Sequence, residues 1–354
     1  MSAAPDPAGL RADAAPQDWA TIFAWLRNAG LAVDATVAPR QFAGGLANLN
    51  YVLRLKGQSD GRWAVFRRPP SGELAHGASD MAREARVLAA LNPVFALAPG
   101  QLAFCADADV IGVPFQLIEW RPGVAIGGSL PDGFADADAG WLIDALVGAL
   151  AQLHALPLDG ALAQLGRPSG FAERQLRGWT RRADAAFAGD APPALAQLLT
   201  QLADSLPPEQ PAAVLHMDAK FDNLLVDAQH RRATALIDWD MGTLGAPAFD
   251  LAVLLSYWVT PDDPVECHAL QAVPALTPGW PGRAQVAARY AAAAGRLPPD
   301  LGWHMALARL RLATAWMQLY RLWQRGDLAG SRYAGFAAIS HAILAQAVQQ
   351  FGEI

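Results

Sequence analysis

Three oxygen-bearing side chains frame the chemistry. Asp218 and Asn223 stand in Leu215-His216-Met217-Asp218-Ala219-Lys220-Phe221-Asp222-Asn223, and Asp238 follows in Leu236-Ile237-Asp238-Trp239-Asp240. Phosphoryl transfer from ATP to a hydroxyl needs one carboxylate to orient and deprotonate the acceptor. It also needs an amide and a second carboxylate to hold Mg²⁺ on the phosphates. Mg²⁺ takes a few protein oxygens and shares the phosphates, so one Asn and one Asp suffice. On this reading Asp218 is base or orienter, and Asn223 and Asp238 are the metal ligands. Lys220 either reaches the transferred phosphate or is a solvated surface charge. His216 is read as a brace for the loop backbone.

Composition narrows the alternatives. The chain has 354 residues, 53% hydrophobic and 17% charged, which excludes a disordered or fibrous protein and allows two lobes with a sizeable core. A formal net charge of -6 gives no basic footprint for nucleic acid, and it fits a cationic substrate only weakly. Cys105 and Cys267, the only cysteines, are too few for a disulfide framework and too isolated for a zinc site. No apolar run is long enough to span a bilayer, and the N-terminus lacks a basic and then apolar leader, so a cytoplasmic setting is expected.

The elements that must position these groups follow from periodicity. Residues 1–16 are rich in Ala, Pro and Asp without a period and read as a flexible tail. Trp19 to Leu31 reads as a helix, and Gln41 to Leu55 as strand, glycine turn, strand. Arg62 to Arg68 is a strand stopped by Pro69-Pro70, Met81 to Leu91 a helix, and Leu102–Cys105 and Pro114–Trp120 further strands. Arg121-Pro122-Gly123 marks the boundary, giving an N-lobe over 17–120 and a C-lobe over 121–354. The second part reads as helices, with one exception. Asn223 to Asp227 and Ala235 to Asp238 form a hairpin. His304 to Phe351 reads as helical.

These motifs resemble the aminoglycoside phosphotransferase and choline kinase superfamily, which has a protein-kinase-like fold. His216-Met217-Asp218…Asn223 is similar to the family's His-Gly-Asp…Asn loop, Ile237-Asp238-Trp239-Asp240 to its Ile-Asp-Trp-Glu, and Gly245-Ala246-Pro247-Ala248-Phe249-Asp250-Leu251-Ala252 to its Gly-Asp-Pro-x-x-Asp-Leu-Ala. Gly44-Gly45-Leu46-Ala47-Asn48-Leu49-Asn50-Tyr51 resembles its nucleotide loop. Arg67-Arg68-Pro69-Pro70-Ser71-Gly72 with Asp80-Met81-Ala82-Arg83-Glu84 resembles one branch, whose members occur alone or fused to acyl-CoA dehydrogenases and are associated with phosphorylating 4-hydroxyacyl-CoA. The resemblance implies an α+β, two-lobed fold with a small β-rich N-lobe and a larger, mainly helical C-lobe. It also implies ATP and Mg²⁺ as cosubstrate and metal, and a small-molecule hydroxyl as acceptor. Gly44, Gly45 and Asn48 would cover the phosphates, Arg67 would neutralise them while paired with Glu84, and the strand ending at Glu119 would read adenine through its backbone. Asp250 would support the catalytic loop, and His154 is read as a core or bracing histidine.

The chain departs from the pattern at Met217 for Gly, Ala47 for Ser/Thr, Ala246 for Asp and Arg67 for Lys. None of these removes Asp218, Asn223 or Asp238. Within the enzyme class the acceptor is a hydroxyacyl-CoA or, alternatively, an aminoglycoside, a choline-like amino alcohol or a sugar. A non-catalytic nucleotide-binding scaffold is the reading from another class. A hydrolase finds no Gly-x-Ser-x-Gly elbow here.

Overall fold

A computed structural model describes residues 10–11, 14–43, 48–57, 62–70, 80–270, 272–328 and 330–353. The chain divides into two compact units, one of residues 1–124 and 225–242, the other of 125–224 and 243–354. In chain order the first unit holds α1 (Trp19–Asn28), β1 (Arg40–Gln41), β2 (Leu49–Leu55), β3 (Arg62–Arg68), α2 (Met81–Leu91), β4 (Gln101–Cys105) and β5 (Phe115–Glu119). Strand β6 (Val124–Ala125) sits at the boundary. The second unit continues with α3 (Ala139–His154), α4 (Phe171–Ala186), α5 (Pro193–Asp204) and β7 (Ala213–Leu215). The chain returns to the first unit for β8 (Leu224–Asp227) and β9 (Arg232–Leu236). It completes the second with β10 (Thr243–Gly245), α6 (Pro247–Ser256), α7 (Arg283–Ala294), α8 (Leu301–Gln324) and α9 (Phe336–Gln349).

The main sheet of the first unit is antiparallel, in the order β1-β2-β3-β5-β4. Side chains alternate across a strand, and the register makes the alternation productive. Tyr51, Leu53 and Leu55 of β2, Ala64 and Phe66 of β3, and Phe115 and Leu117 of β5 enter one core with Ile22 and Leu26 of α1. The opposite parity puts Arg67 of β3 directly beside Gln116 of β5, on the face that α2 covers. Helix α2 starts where the Asp80 carboxylate caps the amide of Arg83 at 2.9 Å. Its buried stripe of Met81, Glu84, Ala85, Leu88 and Leu91 has helical spacing and carries one charge, Glu84.

The hairpin of β8 and β9 forms a three-stranded sheet with β6 and is tied into the first unit. Leu236 N–H donates to the Leu97 carbonyl at 2.8 Å, and the Trp239 ring meets Phe95 edge-on. These contacts explain why residues 225–242 group with the first unit, although the sequence boundary at 120/121 assigned them to the second. Two further expectations shift. Strand β9 ends at Leu236, so Ile237 and Asp238 follow it rather than belong to it, and Asp238 takes φ +69°. Asn223 lies in a single 3₁₀ turn (Phe221–Asn223) before β8. The expected tail also reaches the sheet: Arg11 N–H donates to Gln41 O, and the Tyr51 hydroxyl to Ala15 O, both at 2.8 Å.

The second unit is mostly helical. Every residue of α8 from Leu301 to Thr314 is buried, as for a helix enclosed on all sides. Gly302 admits the chain end there, since a Cβ would come within 2.2 Å of the Gly352 carbonyl oxygen. The helical stretch expected from His304 to Phe351 breaks after α8, where Gly326 (φ +81°) closes the helix and Asp327 N–H reaches back to Leu322 O at 3.0 Å. Strands β7 and β10 pair antiparallel, Leu215 opposite Thr243, so the loop 216–223 leaves a strand whose partner runs into α6. Both cysteines are buried. Among the described residues no helix is long and apolar enough to cross a membrane.

One glycine fixes the seat of the hairpin. Gly123 has φ +146°, and a Cβ there would stand 2.5 Å from Thr234 Oγ1 and 2.9 Å from Leu225 Cβ. Gly123→Ala is therefore expected to destabilise the protein by about 1–3 kcal/mol. Urea unfolding measures this, and an unchanged midpoint would contradict the packing described.

Candidate active site

Each unit builds a buried charge cluster around one of the predicted acidic groups. In the first unit Arg67 and Glu84 pair at 2.9 Å between Nε and Oε2, both nearly inaccessible. That N–H is not aimed along the contact, so the pair is chiefly Coulombic. The guanidinium also donates through Nη2 to Asp238 Oδ1. Gln116 donates its amide to Glu84 Oε2, and the Trp239 backbone N–H donates to Oε1 at 3.3 Å. Burial works against the charge on Arg67, but Glu84, Asp238 and Asp240 outweigh it and raise its pKa. Burial raises the Glu84 carboxyl, and Arg67 offsets this only in part. The result is an arginine fixed at both ends, with the carboxylate of Asp238 about one-third exposed.

In the second unit the loop after β7 is held from below. Asp250, fully buried on α6, accepts the backbone N–H groups of His216 and Met217, each at 2.7 Å. Its Oδ2 also meets His154 Nε2 at 3.2 Å, and His154 Nδ1 meets the Tyr290 hydroxyl at 2.7 Å. His216 Nδ1 in turn accepts the Asp218 N–H at 3.3 Å. Met217, at the glycine position of the resembled motif, takes φ +70° with its side chain buried.

The Asp218 carboxylate points into a ring of donors. Lys220 Nζ lies 2.8 Å and Asn223 Nδ2 3.1 Å from Oδ2; the Tyr257 hydroxyl lies 2.9 Å and Arg311 Nη2 3.4 Å from Oδ1. Burial alone would raise this carboxyl, yet Lys220 and Arg311 prevail and hold it at about 2. Burial works against the charge on Lys220, but Tyr257 and Asp218 outweigh it and keep Lys220 protonated. Burial, reinforced by the Asp218 charge, pushes the Tyr257 phenol up, so it stays a neutral donor. Asn223 uses its amide nitrogen twice, to the Asp218 carbonyl at 2.8 Å and to its carboxylate. Two acceptors around one end fix the amide's orientation and leave Oδ1 turned away.

Of the sequence-predicted residues, Asp218, Lys220 and Asn223 come together in the second unit, and Arg67, Glu84 and Asp238 in the first. Gly44 and Gly45 lie outside the described residues, with Ala47. Asn48 is buried immediately before β2. The Glu119 side chain accepts from Gly100 N–H at 3.0 Å and Arg121 Nε at 2.9 Å, so it ties β5 to the start of β4. Sequence reasoning missed Arg311 and Tyr257. Their signal was present in part: Arg309 and Arg311 stand within an otherwise apolar helical run, and a buried arginine needs a carboxylate.

Comparison with known proteins adds a lineage. Residues 39–307 match the model of a phosphotransferase enzyme family, APH. Among sequence relatives, acyl-CoA dehydrogenase family member 11 of Gallus gallus is 34% identical over 226 residues, covering 63% of this chain and 28% of that protein. The chain spans 21–37% of the length of the curated relatives it matches. Among solved structures, a protein of Ralstonia eutropha JMP134 with a provisional aminoglycoside phosphotransferase assignment aligns with TM-score 0.76 and 22% identity, covering 95% of this chain and 98% of that one. The GDP complex of aminoglycoside 2'-phosphotransferase-IIIa aligns with TM-score 0.60 and 16% identity, covering 95% and 99%. The two structural likenesses give the fold: a protein-kinase-like arrangement with an antiparallel sheet first and a mostly helical region after it.

Two outcomes follow from the charge clusters. Glu84→Ala takes the buried carboxylate from Arg67 and leaves it the partly exposed Asp238, which is expected to cost about 3–5 kcal/mol in urea unfolding; a loss below about 1 kcal/mol would contradict the buried pairing. The second concerns pH. The folded pKa of Asp218, about 2, lies below its ordinary 3.8. Its contribution to stability is thus complete above the ordinary value and is lost as pH falls through the folded one. The stability difference between the wild type and Asp218→Asn is expected to stay constant above about pH 5 and to drift against the wild type on acidification towards about pH 2. A difference that instead changes between pH 6 and 8 would contradict the depressed pKa.

Proposed function

Because the chain belongs to the APH phosphotransferase enzyme family, we propose that it moves the γ-phosphate of ATP to a hydroxyl of a small molecule, with Asp218 facing the acceptor. The observation that carries this reading is the donor ring around Asp218, which keeps the carboxylate ionised and fixed. Such a group accepts a hydrogen bond from the incoming hydroxyl and aligns its oxygen with the phosphorus. Its low proton affinity favours orientation, and the hydroxyl proton passes to the Asp218 carboxylate late, as the new O–P bond forms and the bond to the departing ADP breaks. Lys220 carries a positive charge beside that oxygen, where the transferring phosphoryl group needs neutralising. Arg67 takes the corresponding part towards the nucleotide phosphates, with Gly44, Gly45 and Asn48 as their cover and the backbone of the β5 end, at Glu119, towards the base.

Asn223 and Asp238 are the residues that would hold Mg²⁺. Their chemistry fits a hard cation: Asn223 Oδ1 has no partner in the loop, and Asp238 pairs with Arg67 through Oδ1 only. When bound, the metal spreads the charge of the phosphoryl oxygens.

For the acceptor, a hydroxyacyl-CoA is favoured. The sequence relatives are named for acyl-CoA dehydrogenation, and the cations nearest Asp218 are Lys220 and Arg311. That local charge suits an anionic acceptor and outweighs the overall charge of -6, which favoured a cationic aminoglycoside or amino alcohol. Mg²⁺-dependent ADP release is expected with a hydroxyacyl-CoA and is expected to fall on the order of 10²–10⁴-fold in Asp218→Asn. ATP binding without ADP release across hydroxyacyl-CoAs, aminoglycosides and amino alcohols would favour a non-catalytic scaffold, and unchanged turnover in Asp218→Asn would remove the central assignment.

A further inference from the structure

A third buried charge cluster, apart from Asp218, stands where α6, α7, α8 and α9 converge in the second unit. Asp263, in the segment between α6 and α7, is saturated with donors. Its Oδ1 accepts from Arg283 Nη1 at 2.8 Å and from the Gln346 amide. Its Oδ2 accepts from Arg283 Nη2 at 2.5 Å and from the Thr260 N–H at 2.7 Å. Four donors occupy the lone-pair sites of a carboxylate. Arg283 Nε donates to Leu255 O at 3.2 Å, so this arginine is committed to Asp263 and to the end of α6.

Arg309 of α8 is 3% exposed, and among the described residues no carboxylate pairs with it. Its hydrogen bond runs from Nη2 to Gln350 Oε1 at 2.7 Å. Nε and Nη1 have no partner among the described residues, yet protein atoms do not seal them in. The cluster therefore buries two guanidinium groups against one carboxylate that is already fully used. The other acids nearby, Glu266 and Glu353, are exposed, where water screens them. Burial, and after it Arg283, pulls the Arg309 guanidinium down to about 10, so it is still charged at neutral pH. A buried charge left without a counter-charge is costly.

Arg309 lines a cavity of about 10 Å³ together with Ser256, Asp263, Cys267, Arg283 and Gln346. That is room for one body of about the size of a water molecule. Carboxylates and phosphates are too large for it, and the surplus positive charge favours an anion over a neutral occupant. Burial pushes the Cys267 thiol up to about 11, so it keeps its proton and adds a weak S–H donor to the wall. We propose that this cavity holds one monatomic anion, a halide such as chloride, against Arg309, with the Cys267 thiol beside it. The ion supplies the counter-charge that Asp263 cannot, and so completes the junction of α6, α7, α8 and α9. The site is distinct from the groups around Asp218. It adjoins them in sequence only through the end of α6, where Ser256 precedes Tyr257, a donor to Asp218.

The test uses the full chain freed of halide by dialysis into sodium gluconate. Chloride is followed by ³⁵Cl NMR: the protein is expected to broaden its line saturably, with half-occupancy in the millimolar range or below, and bromide to reverse the broadening. Thermal unfolding is measured in parallel at one ionic strength. Chloride or bromide at about 100-fold its half-saturating concentration is expected to raise the midpoint by at least about 2 °C over gluconate or acetate. Arg309→Met keeps most of the side chain, removes its charge and is expected to lose both effects, with circular dichroism establishing that it folds. If that variant does not fold, wild-type crystals soaked in bromide decide the matter, and an anomalous bromine peak is expected beside Arg309 Nε and Nη1. An unbroadened chloride line, protection by acetate or gluconate equal to that by chloride, a folded Arg309→Met protein with the full chloride effect, or a bromide-soaked crystal without an anomalous peak in the cavity would each overturn the proposal.

Discussion

One carboxylate organises the loop that carries the candidate chemistry. Asp250 is fully buried and accepts two consecutive backbone N–H groups, those of His216 and Met217. Consecutive amides turn to one acceptor only if the backbone between them bends sharply. Met217 bears that bend, at φ +70°, a conformation that costs a non-glycine residue roughly 1–2 kcal/mol. Charge-assisted bonds to backbone amides, about 1.5–3 kcal/mol each, exceed that cost. Burial of the Met217 side chain adds to it, which explains how a residue with a Cβ is tolerated where the resembled motif has glycine. Asp250 is itself fixed by His154, which is fixed by Tyr290. The direction of Asp218 is thus set by a chain of hydrogen bonds that begins on α3, α6 and α7.

The charges near Asp218 and Asp238 follow a common rule. A buried carboxylate is stable when cations and donors replace water, and each partner here is itself held. Lys220 stands over the Tyr257 ring, 4.8 Å from its centroid, while Tyr257 donates to Asp218. Arg311 packs against the face of Trp179, 5.8 Å from its centroid. Arg67 is braced by Glu84, which Gln116 and the Trp239 amide hold in turn. Catalysis by positioning needs such redundancy, since a carboxylate displaced by about 1 Å loses on the order of 10²-fold in rate.

Much of this was legible in the sequence because it rests on local periodicity or on short motifs. The alternation in β2, β3 and β5 announced the sheet, and the stripe from Met81 to Leu91 announced α2 with both boundaries. The spacing of Asp218, Asn223 and Asp238 marked the residues of the candidate site. What could not be read depended on distant pairings. Arg311 is 93 residues from Asp218 in sequence, and nothing local distinguishes it from Arg309, which bonds to Gln350 instead. The end of β9 at Leu236 was misplaced because Ile237 continues the apolar run, while the left-handed turn at Asp238 is imposed by the contacts of Arg67 and of the Trp239 amide. The grouping of residues 225–242 with the first unit arises from tertiary contacts at Leu97 and Phe95, which no pattern within the hairpin reveals.

The central claim is that Asp250 sets the position of Asp218, the group proposed to orient the acceptor. The most direct measurement is steady-state ADP formation by Asp250→Asn at a temperature where circular dichroism establishes that the variant is folded. His216 and Met217 bond to different oxygens of Asp250, so the new amide donor faces one of the two N–H groups and the loop loses half of its anchor. The account predicts a fall in kcat of at least about 10-fold with the KM for ATP changed little, because the contacts of Asp250 are with His216, Met217 and His154 and not with Arg67 or Glu84. A folded Asp250→Asn protein with the wild-type kcat would contradict it.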